Sequence, residues 1–179
     1  MDKLTITEAL AELKTIDKRI ENKNTFVKNY LARQDMVKDP LEKDGGSVNA
    51  IRAEIQSIND LLTRKIAIRG AIQTANQQNK VTIKGKEMSI SDWIVWKREV
   101  HPQLKNLYNS LSSGIAGLRR DAMNKGVKVT DGQTPAQPTD VIVNLNEQWL
   151  KTTIEELSEI EGALDGLLSL KNATVVVEF

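Results

Sequence analysis

His101 is the only histidine in the chain, and there is no cysteine. An imidazole can ligate a metal or move a proton, but it needs company. His101 has no second ligand at i+4 and no thiol to pair with, and Pro102 follows it directly. A structural or solvent-exposed histidine is expected. Glu155, Glu156 and Glu159 have the i, i+3/i+4 spacing with which a di-metal bundle collects carboxylates. Such a bundle also takes histidines from its facing helices, and one histidine cannot supply them. A solvated acidic helix face is expected instead. Lys84-Gly85-Lys86 has neither the Walker spacing nor the Rossmann glycines. The expectation is a non-enzyme with no catalytic, metal or cofactor site.

Two other residue types could bind rather than react. Trp93 and Trp96 lie three apart, so they share one helix face. They could anchor a partner or seal the end of a bundle against a small sheet. Arg64-Lys65-Arg69 and Arg119-Arg120 are short basic clusters, without the continuous basic face or reading element that nucleic acid demands. Nucleic acid is therefore an unfavoured partner. Membrane insertion is not expected either, because no stretch approaches roughly 18 uninterrupted apolar residues.

Charge is uneven along a chain whose net charge is only +1. Segments 1–44, 45–89, 90–126 and 127–179 carry net 0, +4, +3 and −6. A basic middle could thus attract an acidic last helix, or both could be solvated faces. Aromatic residues are only 4% of the chain, so the core must be built mainly from Leu, Ile, Val and Ala. The start, Met1-Asp2-Lys3-Leu4-Thr5, lacks the run of a signal peptide, and a cytoplasmic product is expected.

Four segments have the three- and four-residue apolar spacing of amphipathic helices. The first begins at Thr5, with Glu8 placed to complete a capping box, and carries Leu10, Leu13, Ile16, Ile20, Val27 and Tyr30. Lys23 and Asn24 interrupt it, as polar residues that fix register often do. The second runs from Ser47, as cap, to about Asn79 on Val48, Ile51, Ile55, Ile58 and Leu62, where the stripe shifts to Ile66, Ile68 and Ile72. The third starts at Ser89 with Asp92, or at Ser91 alone, and follows Trp93, Trp96, Val100, Leu104, Leu107, Leu111, Ile115 and Leu118, with a kink expected near Glu99 to Pro102. The fourth covers about Asn144 to Lys171. Between the second and third, 81–88 reads as a hairpin turning on Lys84-Gly85, and the apolar tail 174–179 is expected to pair with it. Residues 126–140 read as a long loop or arm, with Val127–Val129 and Val141–Val143 able to pair across it as a hairpin.

Thr7-Glu8-Ala9-Leu10, Lys18-Arg19-Ile20-Glu21, the run from Ile58 to Ile66, Ile72, Thr74, Asn76, Leu164-Asp165 and Asn172-Ala173-Thr174 together resemble the septicolysin-like small helical proteins of bacteria and phages. The hairpin, the Pro102 break and the 126–140 loop depart from that pattern. The resemblance implies an oligomeric helical protein without catalytic motifs, of a sort also encoded by phages.

The expected fold is mainly α: an antiparallel bundle of about four long helices, with a small antiparallel β element formed by hairpin 81–88 and strand 174–179. Residues 1–179 are expected to form a single elongated domain. The expected function is that of a non-enzymatic structural or assembly protein acting as an oligomer, within a tailed-phage particle. Its partners would be copies of itself and other structural proteins. The alternative is a regulatory or nucleic-acid-associated helical factor. The candidate interaction residues are Trp93, Trp96, Val175, Val176, Val177 and Phe179.

Overall fold

A computed structural model describes residues 3–130 and 138–179; residues 131–137 of the expected 126–140 loop lie outside the described residues. The fold is mainly α with small strand pairs, as the apolar spacing predicts. Where the sequence suggests one domain, the packing groups into two compact units, Met1–Asn79 with Ser169–Phe179, and Lys80–Leu168.

In the first unit, β1 (Lys3–Thr5) leads into α1 (Ile6–Tyr30), and α2 (Ser47–Gln78) returns beside it. Thr5 and Glu8 form the expected capping box, with the Thr5 amide donating to the Glu8 carboxylate at 2.8 Å. Lys23–Glu54, Asp17–Lys65 and Glu12–Arg64 ion pairs link the antiparallel helices. The buried face of α1 is Ile6, Ala9, Leu13 and Ile16, so Leu10, expected inside, is displaced to a largely exposed position. Lys23 keeps its place in the seam by pairing with Glu54 at 2.6 Å, both side chains half-buried.

The start of α2 differs from expectation. Ser47 does not cap it: Gly46 precedes the helix in an extended positive-φ conformation, and Ser47 lies in the first turn. Asp39 does the capping from the preceding loop, accepting from the Ser47 amide at 2.8 Å and from the Ser47 hydroxyl. It also accepts from the Leu41 amide. These hydrogen bonds, the Ser47 hydroxyl foremost, hold the Asp39 carboxyl below its ordinary range.

The C-terminal strand β6 (Val176–Glu178) pairs antiparallel with β1, not with the hairpin. Leu4 faces Val177, and the Ile6 amide donates to the Val175 carbonyl at 3.0 Å. The expectation placed the tail at the hairpin because a lone two-stranded ribbon needs support. The structure supplies that support from helices instead. Val177 is buried among Ile6, Ala9, Ile68 and Ala75.

In the second unit, β2 (Lys80–Ile83) and β3 (Lys86–Ser89) form the expected hairpin. Lys84 and Gly85 both take positive φ, at 50° and 77°, the pattern of a type I′ turn. Ser89 caps α3 (Ile90–Val95) by accepting from the Asp92 amide. A π-helical turn over Trp96–Val100 then joins α3 to α4 (His101–Asn124). This is the form the expected disturbance at Pro102 takes. Proline has no N–H to offer the carbonyl four residues back, and its ring crowds that turn. The chain widens just before it, and the His101 amide reaches the Trp96 carbonyl, five residues back.

One extra residue in a turn rotates everything that follows. His101 and Tyr108 therefore turn inward beside Leu111 and Ile115 of the expected stripe, which stay inside, while Val100, Leu107 and Leu118 of that stripe are 40–51% exposed. The end of α4 is closed by Gly126 at φ 66°, with the Val127 amide reaching back to Ala122 at 2.9 Å. Val129–Thr130 (β4) and Val141–Ile142 (β5) do pair, but parallel, so the expected hairpin is corrected to a crossover. Asn146 then caps α5 (Glu147–Thr174), which runs a few residues past the expected end at Lys171.

Candidate interaction surface

The cluster richest in chemistry surrounds His101. The imidazole is 5% exposed and stacks on Trp96, with ring centroids 5.2 Å apart. Its Nε2 lies 3.4 Å from the Glu161 carboxylate, at a geometry too poor for a hydrogen bond, and Lys105 lies 3.3 Å from the same carboxylate. A cavity of about 130 Å³ opens there, lined also by Tyr108, Asn109, Leu157 and Ser158. The π-turn explains why sequence spacing missed this corner, since it brings His101 to the α5 side. Among the described residues no group of three His, Asp or Glu side chains could hold a metal ion.

The two candidate tryptophans, read as either an anchor or a seal, have different fates. Trp93 has no exposed surface, and its indole N–H donates to the Val81 carbonyl at 2.9 Å. It packs against Ile83, Ile90, Ile160 and Leu164, so it seals the hairpin onto the helices. Trp96 is half-buried and meets Trp93 edge-on, with centroids 5.5 Å apart. Of the tail residues, Val177 is buried, and Val175 and Phe179 pack against the same core. Phe179 also lies beneath the Arg64 guanidinium, 5.3 Å from its centre. Val176 alone of the tail valines stands largely exposed, at 53%. Val176 apart, the tail's apolar side chains are thus engaged within its own unit, and its backbone pairs with β1.

The basic middle and the acidic α5 meet within the second unit. Lys84 pairs with Glu159, Lys97 with Asp165, Lys105 with Glu161, and Arg119 with Glu147. Glu155, expected on the solvated face, lies 4.0 Å from Lys151 one turn before it. Beside Arg119 and Glu147, α4 and α5 diverge around a cleft of about 560 Å³ floored by Ile115, Ala116, Leu150 and Ile154.

An aligned apolar row is left exposed on α2. The helix turns Ile51, Glu54, Ile58, Leu61, Lys65, Ile68, Ile72 and Ala75 toward α1 and the tail strand, a continuous three-four spacing. Ile51, Ile58, Ile68 and Ile72 belong to both this row and the one read from the sequence. Val48, Ile55, Leu62 and Ile66 are left on another face, 63%, 46%, 42% and 73% exposed. The sequence stripe is real, but half of it faces away from the core. Arg52, Asn59 and Arg69 complete this outer row at the same helical spacing, and Arg52 and Arg69 have no ion-pair partner among the described residues. No helix of the described residues is long and apolar enough to cross a membrane.

No family model and no curated protein matches the chain. Among solved structures it is similar to a functionally unknown conserved protein from Corynebacterium diphtheriae, at 13% identity and a TM-score of 0.54. The match covers 99% of this chain and 100% of the other, and at that identity what the two share is the fold.

Proposed function

We propose that the chain is a non-enzymatic structural or assembly protein that works as an oligomer, with a tailed-phage particle as the setting. The observation that carries this reading is the exposed row Val48, Ile55, Leu62 and Ile66. Apolar residues aligned along about five turns of one helix mark protein–protein contact sites, whereas scattered exposed ones do not. The septicolysin-like resemblance adds support, because it too implies an oligomeric helical protein. The candidate contacts Trp96 and Val176 remain secondary surfaces on this reading.

The test is the native mass in solution by light scattering, at concentrations from about 1 to 100 µM, a range that brackets ordinary oligomer affinities. An oligomer is expected; a monomer throughout would overturn the reading. Mass spectrometry of purified particles tests the phage setting, which fails if the protein is missing from them.

A nucleic-acid-associated factor is the other reading, and the stretch 45–126 supplies its positive charge. Lys65, Lys84, Lys97, Lys105 and Arg119 are already paired with carboxylates, which weakens it. Retention on DNA or RNA that falls steeply with salt would favour it over assembly.

A further inference from the structure

Resting on the assembly reading, we infer that the occupant of the outer α2 face is a second copy of this chain, its α2 laid antiparallel on the first with Asn59 at the two-fold axis. A two-fold interface must be self-complementary. The outer row Val48, Arg52, Ile55, Asn59, Leu62, Ile66, Arg69 has that property about Asn59. Ile55 and Leu62 lie about one turn to either side and exchange places across the axis. Arg52 and Ile66 lie seven residues to either side, so the arginine stem covers an isoleucine and its charge stays at the rim. Asn59 opposes Asn59, the polar pair that sets register and orientation in helical seams. Its side chain makes no hydrogen bond among the described residues, so its amide is free to pair.

Charge selects the orientation. Asp44 precedes α2 and has no ion-pair partner among the described residues; Arg69 lies near the other end and has none either. An antiparallel pair centred on Asn59 puts Arg69 about 15 Å beyond the axis, level with the start of the second copy's α2 and within reach of its Asp44. A parallel pair would stack Arg52 on Arg52 and Arg69 on Arg69, juxtaposing like charges. Opposed helix dipoles favour the antiparallel arrangement as well.

The natural absence of cysteine makes the test direct. In the full chain, Asn59→Cys would place two sulfurs across the axis, whereas Ile66→Cys would leave its two copies about 21 Å apart along the seam. A disulfide needs Cα atoms within about 7 Å. Under a glutathione redox buffer, Asn59→Cys is expected to convert to covalent dimer and Ile66→Cys to stay uncrosslinked. Ile55→Glu with Leu62→Glu is expected to lower the native mass to that of a monomer with unchanged circular dichroism. Crosslinking of Ile66→Cys as well as Asn59→Cys would show a parallel pair, and crosslinking of Ile66→Cys alone a shifted register; either would overturn the inference while the assembly reading stands. An oligomer in which neither crosslinks would move the interface off this face, with the same consequence. A wild-type monomer at all concentrations would overturn both.

Discussion

Replacing Trp93 with phenylalanine tests how the second unit is held together. Trp93→Phe keeps an aromatic body in a site with no exposed surface, but withdraws the indole donor from the Val81 carbonyl. Losing that buried hydrogen bond costs about 0.5–1.5 kcal/mol. The three missing ring atoms add about 1–2 kcal/mol through lost burial and the void beside Ile160 and Leu164. The expected total is about 1.5–3.5 kcal/mol. With a urea slope of roughly 2 kcal/mol/M, the unfolding midpoint should fall by about 1 M. Far-UV circular dichroism is the right signal, because tryptophan emission is itself altered by the change. Trp96→Phe, at a half-buried site, serves as the comparison and should cost less. A Trp93→Phe midpoint within about 0.2 M of wild type, a fraction of that slope, would refute the claim that the indole fastens the hairpin to the helices.

Leu164→Ala, at a site 1% exposed, should cost about 2–5 kcal/mol in the same melts. Lys23→Leu alone should destabilise the first unit by about 1–3 kcal/mol, since it strands the half-buried Glu54; adding Glu54→Leu should recover most of that loss. Hydrogen bonding lowers the folded-state pKa of Glu8 (through the Thr5 amide), Asp39 (through the Ser47 hydroxyl) and Glu178 (through Lys3). Their stabilisation is complete above the ordinary carboxylate range and is lost as pH falls through the lowered values. Carboxylate partners raise Lys3, Lys80 and Lys84, whose contribution is complete below the ordinary lysine value and is lost as pH rises through the raised ones. Thermal melts against pH should therefore show a plateau between the two ranges, and Asp39→Asn should flatten its acid edge.

Local chemistry was the legible part of the sequence. The Thr5–Glu8 box, the Lys84-Gly85 turn and the Ser89 cap all involve residues within three or four positions of each other, and all form as spaced. Spacing also revealed where the helices lie. It did not reveal which stripe of α2 faces inward, because that helix carries two rows and only α1 and the tail decide between them. Nor did it reveal the inward turn of His101. A count at 3.6 residues per turn assumes an unbroken helix, and the π-turn ahead of Pro102 shifts the count by one. The tail's partner was missed for a similar reason: pairing between residues 3–5 and 176–178 leaves no signal in either segment alone.

That pairing has a consequence for how the chain folds as it is made. The first unit is discontinuous: its last piece, Ser169–Phe179, emerges only after all of Lys80–Leu168. At ordinary synthesis rates, about 90 residues take roughly 5–18 s to make. Throughout that interval α1 and α2 can pair, while the apolar end built from Ile6, Ala9, Ile68 and Ala75 still lacks Val177. The nascent chain thus carries an open hydrophobic end for seconds, until the strand around Val177 arrives to close it.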